Sequence, residues 1–304
     1  EMDHEGFERS NYFGYEDDIM LAPSRRWLET HGRKPFFASY LTIAPHHDYL
    51  APSGRYGRQQ FDTDPARNRW LNAIRNQDFF LRHLFQQYQE LGLVENTVFV
   101  IVGDHGEGFG EHGRNTHAEI MWNEVLHVPM IVHDLSQALS TRITHPVTQL
   151  DIVPTVLDLL GFDVASGTYA GQSIFAEQRD RLIMAACYAD NKCAAVVDGN
   201  WKFIHHFNLR PDELFDLTSD VQESRNLADL YVGQIQQWRA DLLRWQRSVR
   251  AMHQPGVEDP LAVFVRSKRP AVQHRVGAQF GDYAVLLGYD LVTPRDSHET
   301  ANHH

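Results

Sequence analysis

Apolar positions recur along this chain in two rhythms. Trp70, Ile74, Leu81, Leu84, Tyr88 and Leu91 fall at helical spacing within DPARNRWLNAIRNQDFFLRHLFQQYQELG, and the pattern stops at Gly92. That spacing predicts an amphipathic helix with a core-facing stripe. The run TVFVIV at 97–102 has no polar alternation, as a strand covered on both faces requires. YEDDIMLAPSRRWLET at 15–30 predicts a helix, and PFFASYLTI at 35–43 predicts a strand that ends in APHHDY. HVPMIVH at 127–133 predicts another strand, and THPVTQLDIVPTVLDLLG at 144–161 predicts a helix stopped by Gly161. Strands flanked by helices predict an α/β fold with a mixed, mostly parallel sheet.

Beyond about residue 180 the pattern changes. AAVVDG and WKFIHHF read as short strands before the polar turn segment ELFDLTSDVQESRNLAD. A helix from about 232 to 251 follows, with Trp238, Leu242, Trp245 and Val249 on one stripe. The expected organisation is an α/β domain over 1–180, a small antiparallel-sheet plus helix α+β subdomain over 181–252, and a tail over 253–304. Within the tail, AQFGDYAVLLGYDLVTP at 278–294 resembles the opening strands of an appended β-sandwich; a strand packing back on the subdomain accounts for it equally.

Composition narrows the possible partners. The 304 residues are 42% hydrophobic and 22% charged, an ordinary globular balance. Forty acidic against 28 basic residues give a net charge of −12, which argues against nucleic acid as a partner. No stretch approaches the roughly 20 apolar residues needed to cross a bilayer, so membrane attachment would fall to segments outside this chain. Cys187 and Cys193, in ACYADNKCAAV, suit a hairpin disulfide in an oxidising compartment or a pair of free thiols.

The segment GDHGEGFGEHG at 103–113 follows directly behind the TVFVIV run. In an open α/β sheet the C-terminal ends of the strands are where ligands bind. Asp104 and His105 emerge there side by side, and a carboxylate beside an imidazole suits a divalent metal. Glu107, Glu111, His112 and His117 lie within the same short stretch. A solvated acidic loop whose glycines merely make turns would have the same composition.

Order along the chain adds specificity. PFFASYLTIAPHHDYLAP, GDHGEGFGEHG, His117, EVLHVPMIV, QLDIVPTVLDLLG, YAGQSI, DGNWKFI and ELFDLTSDVQESRNLAD together resemble the C-terminal half of the catalytic domain in the sulfatase family of the alkaline phosphatase superfamily. The resemblance implies part of an alkaline-phosphatase-like sandwich and a hydrolase cleaving sulfate monoesters, extracytoplasmic by family habit, on a small-molecule or glycan ester. It implies that Asp104 and His105 are metal ligands, for calcium in a sulfatase and for zinc or manganese in a related phosphotransferase. His46, after Pro45, matches a histidine that contacts the ester or protonates its leaving group. His117 stands where many sulfatases place a sulfate-binding lysine and phosphoethanolamine transferases place histidine, so a metal-dependent phosphotransferase or phosphodiesterase is the alternative. A noncatalytic module of the same fold is another.

Such chemistry needs a metal clamp, a proton donor and a nucleophile. The family's Cys/Ser-x-Pro-x-Arg nucleophile motif and its early metal-binding aspartates have no counterpart here; LAPSRR at 21–26 has Leu21 in the nucleophile slot and reads as helix. The expectation is therefore a fragment whose missing N-terminal half supplies the nucleophile, and which is inactive alone.

Overall fold

The computed structural model describes residues 4–135, 141–162, 169–177, 181–187, 192–252, 274–280 and 284–289. The chain divides into two units, Glu1–Leu242 and Leu243–His304.

The first unit opens with the antiparallel pair β1 (Arg9–Asn11) and β2 (Gly14–Tyr15), then helices α1 (Leu21–His31) and α2 (Pro65–Glu90). α2 begins where it does because the Asp64 carboxylate accepts the Arg67 amide at 2.7 Å, while Pro65 sits at a first-turn position that needs no donor. Its buried stripe of Phe80, Leu84 and Tyr88 packs with Leu28 of α1, and Phe36, Tyr40 and Phe99 close over that cluster.

β3 (Phe99–Val102) leads into the glycine-rich loop. Within that loop β4 (Gly108–Phe109) pairs with β5 (Asn115–Thr116), followed by the single-turn α3 (Asn123–Leu126) and β6 (Met130–His133). β6 returns antiparallel to β3, with Ile101 opposite Ile131. A short 3₁₀ turn at Gln149–Asp151 then opens α4 (Ile152–Leu159).

β7 (Ile183–Ala186), β8 (Ala194–Asp198), β9 (Trp201–His205) and β10 (Glu213–Asp216) form an antiparallel sheet ordered β10-β9-β8-β7, and α5 (Val232–Met252) follows. Strand alternation divides their side chains. Ala194, Val196, Phe203 and Leu214 pack against Ile235, Trp238 and Leu242 of α5. Ala195, Ile204 and Phe215 pack against Ile120, Met121, Trp122 and Val125. The sheet therefore has a helix on one face and the segment that follows the glycine-rich loop on the other. The second unit contains the last turns of α5 and the antiparallel hairpin β11 (His274–Phe280) and β12 (Ala284–Tyr289).

Helices α1, α2 and α5 and strands β3, β6, β8 and β9 lie where the sequence pattern puts them, and LAPSRR is indeed helical. Four expectations change. Every strand pairing among the described residues is antiparallel, not mostly parallel. A uniformly apolar run records cover on both faces; it says nothing of strand direction. The 35–43 run joins no ladder among the described residues. Its alternation is nevertheless strand-like, with Phe36 and Tyr40 packed inward while Phe37 and Leu41 are 88% and 78% exposed. The helix expected from 144 starts only at the turn beginning with Gln149, because Pro146 restricts the residue before it and cannot donate. ELFD is a strand rather than part of a turn. Most of the tail, 253–273 and 290–304, lies outside the described residues. Among them, no helix is long and apolar enough to cross a membrane.

Candidate active site

β3 delivers Gly103, whose amide donates to Pro129 O at 3.2 Å, and the chain then leaves the ladder. Asp104 and His105 come next. Gly106 returns to the protein body, with its amide 2.8 Å from Val125 O. A Cβ at residue 106 would lie 2.1 Å from Glu124 O, so only glycine lets the loop lie this close to α3.

His105 Nδ1 lies 2.8 Å from Gly106 O. A carbonyl only accepts, so Nδ1 carries the hydrogen and Nε2 keeps its lone pair for a ligand, the arrangement usual for a metal-binding histidine. That Nε2 is 3.7 Å from Asp104 Oδ2, and the Asp104 side chain is 84% exposed. One imidazole nitrogen and one carboxylate oxygen at this separation can share a divalent ion, as part of its coordination shell. Among the described residues no group of three or more His, Cys, Asp or Glu converges to complete such a shell.

The β4–β5 ladder folds the chain back and sets the His117 ring against His105, with centroids 4.0 Å apart. His117 Nδ1 is 3.3 Å from Glu107 Oε1. The buried Glu107 carboxylate also accepts the Tyr49 hydroxyl at 2.5 Å. Burial first, then the bond to Glu107, pushes the Tyr49 phenol far above its ordinary pKa, so it stays a neutral donor. Tyr49 belongs to the PHHDY segment and ties it to the loop. His46 lies in that segment, with Nδ1 2.7 Å from His47 O and its ring edge-on to Tyr12 and Phe13.

Of the four expected site residues, the structure brings Asp104, His105 and His117 together. His46 is joined to them through Tyr49 and Glu107, not by direct contact. Sequence reasoning noted Glu107 only as a neighbour and missed Tyr49. A tyrosine three residues beyond a candidate histidine was the available signal.

A cavity of about 1350 Å³ opens beside Asp104 and His105, lined by Arg142, His145 and Gln149 and by apolar residues including Met130, Val132 and Ile143. Behind the loop, buried Lys202 pairs with buried Glu223 at 2.7 Å, and Lys202 Nζ also donates to Asn123 Oδ1 at 3.0 Å. Glu223 accepts the Asn123 amide as well, which fixes the start of α3. Cys187 and Cys193 form a disulfide, with Cα atoms 5.2 Å apart, beneath the same core cluster.

The family model named Sulfatase matches residues 3–162, more than half of the chain and the whole of the loop just described. The chain belongs to the sulfatase family. Curated relatives of this sulfatase-family chain include the lipoteichoic acid synthase-like YvgJ of Bacillus subtilis, 25% identical over 56% of this chain and 29% of that protein. Arylsulfatase K of Rattus norvegicus is 26% identical over 50% of this chain and 30% of its own length, and choline-sulfatase of Rhizobium meliloti is 27% identical over 53% and 32%. The chain thus spans about three tenths of the length of these relatives. Among solved structures, yidJ of Bacteroides fragilis matches with TM-score 0.60 at 17% identity, over 83% of this chain and 61% of that one. Ps i-CgsB in complex with k-i-k-neocarrahexaose matches with TM-score 0.58 at 19% identity, over 77% and 55%. These likenesses place the chain in the α/β fold of the sulfatases.

Proposed function

We propose that this chain is part of the catalytic domain of a hydrolase that cleaves sulfate monoesters through a divalent metal, calcium first among the candidates. The observation that carries this reading is the grouping of Asp104, His105 and His117 at the end of β3, inside the segment that matches the family. Asp104 Oδ and His105 Nε2 would hold the metal. When bound, such an ion stabilises negative charge that develops on the ester's nonbridging oxygens. His117, steadied by Glu107, faces the transferred group, and His46, whose Nδ1 is held by His47 O, is the candidate donor to the leaving oxygen through Nε2. The covalent acceptor comes from residues outside this chain, because none of its cysteines or serines stands in a Cys/Ser-x-Pro-x-Arg motif. A small-molecule or glycan sulfate ester is the proposed substrate class. The Cys187–Cys193 disulfide supports an extracytoplasmic, oxidising location.

One observation favours a second reading. The imidazole of His117 beside the metal-ligand pair, in place of an amine, suits a phosphoryl group held with zinc or manganese. Assays of the intact protein with 4-nitrophenyl sulfate and 4-nitrophenyl phosphate, each with calcium, manganese or zinc, separate the two. Sulfate turnover that depends on calcium is the expected result, and faster phosphate turnover overturns the preference. Asp104→Asn should strip the metal; unchanged metal content in that variant would refute the ligand assignment.

A further inference from the structure

We infer that Gln149 is a positioning residue for the Asp104–His105 pair, an inference that rests on reading those two as metal donors. Gln149 Nε2 lies 2.8 Å from Gly103 O and 2.7 Å from Asp104 O. A primary amide has two hydrogens on one nitrogen, and each here meets one of two successive carbonyls. The opposite rotamer would aim the amide oxygen at both carbonyls, so the nitrogen assignment follows from charge alone.

The clamp acts where the chain is otherwise least held. Gly103 N bonds Pro129 O, just before β6, and Gly106 N bonds Val125 O in α3. Between them, among the described residues, the one other hydrogen bond to residues 104 and 105 that reaches beyond this stretch is the one from Gln149. The Asp104 side chain is 84% exposed and, among the described residues, bonds only His105, so its direction is inherited from the backbone that Gln149 grips.

The base of the clamp is rigid. Gln149 opens a turn in which Asp151 N donates to Thr148 O at 2.9 Å and Thr148 N donates to Asp151 Oδ2 at 2.7 Å. Asp151 is fully buried and held by both arms of the Arg181 guanidinium and by Gln172 N at 2.9 Å. Gly171 fits so closely over Leu150 that a Cβ there would lie 2.0 Å from Leu150 O. A fixed turn therefore reaches across to the ligand-bearing backbone through one side chain.

The test uses the intact protein, Gln149→Met, which keeps length and loses both donors, and Gln149→Asn, one methylene too short for both carbonyls. Manganese binding is measured by calorimetry and amide exchange is followed at residues 103–106 in the metal-free protein. Outer-shell partners of metal ligands usually contribute 10- to 100-fold in affinity. Gln149→Met should weaken manganese about 10-fold or more and speed exchange at 103–106, while the metal-free thermal midpoint stays close to wild type; Gln149→Asn should fall between. Unchanged affinity and exchange overturn the inference. A loss of stability with unchanged affinity also overturns it, since it marks a structural role only. If wild type binds no manganese, calcium or zinc, the metal reading itself fails, and faster exchange would then show a backbone clamp without a metal role.

Discussion

His112 lies flat against Trp122, ring centroids 4.3 Å apart and planes 10° from parallel. Its Nδ1 is 2.7 Å from a Glu124 carboxylate oxygen and its Nε2 is 3.1 Å from Glu223 O. Both ring nitrogens thus face acceptors, which only the doubly protonated imidazolium satisfies. The Trp122 indole in turn donates to Glu213 at 2.7 Å, and the Arg210 guanidinium covers its ring. One histidine of the glycine-rich loop is in this way seated on the antiparallel sheet and its following turn.

That seat responds to pH. Burial would lower the His112 pKa, but Glu124 and the Glu223 carbonyl outweigh it and hold the pKa above its usual value. The charged groups around it are Glu124, Glu223 and Asp220, with Lys202 behind Glu223. A raised histidine adds stability that is full below its unfolded pKa and lost as pH rises through the folded value. His112→Gln should cost about 1–2 kcal/mol at pH 5 and clearly less at pH 8, read from urea unfolding. A gap that does not change with pH would contradict this.

Lys202 and Glu223 are 1% and 0% exposed. Removing one partner strands the other charge in the interior, so Lys202→Met should destabilise by about 3–5 kcal/mol. The double variant Lys202→Met with Glu223→Leu should recover much of that loss. A double-mutant cycle in guanidinium measures the coupling.

Gly106→Ala should be poorly tolerated although the residue's backbone angles are open to alanine, since its methyl would meet Glu124 O. We expect a loss of about 1–3 kcal/mol by thermal unfolding, together with weakened metal binding. Gly113→Ala, where nothing lies within 4 Å of a new Cβ, differs in kind: only its left-handed φ of 70° opposes the change.

Asp17 supplies a pH effect of its own. Burial, with a smaller push from Asp18, raises its carboxyl to about 6 against the bonds from Ile43 N and Ala44 N. A carboxyl raised on folding gives stability that is full below its unfolded pKa and is lost as pH rises through 6. Between pH 4 and 7 wild type should therefore lose up to about 3 kcal/mol relative to Asp17→Asn, measured by denaturant unfolding across that range. Parallel pH profiles for the two proteins would contradict it.

Periodicity and motif order read much of this protein correctly. The β3 run and the later part of the α2 stripe, Leu84 and Tyr88, were legible because each follows one dominant physical signal, the gathering of apolar side chains. The earlier part was not, since Ile74 is exposed and Asn72, Ala73 and Asn76 are buried there. Strand direction was not legible, since Val100 and Ile101 look the same whichever way their partner runs. Around the candidate site, Asp104 and His105 stood out as a carboxylate beside an imidazole directly behind an apolar run, and His117 through the order of motifs along the chain. Tyr49 and Gln149 did not. Each acts by a hydrogen bond to residues more than 40 positions away, so apart from the nearness of Tyr49 to His46 the sequence does not mark them.

The close approach of Gly106 to α3 carries a consequence for anyone who would transplant this loop. Residues 103–117 have the β4–β5 ladder and the His117–Glu107 bond of their own, but the seat of Gly106 and His112 is supplied from outside by Glu124, Trp122 and the turn around Glu223. A graft of the loop alone into another α/β scaffold would arrive without the surfaces that mould it. A portable module is discontinuous, pairing the loop and α3 with the β9–β10 hairpin, its following turn and the turn that carries Gln149.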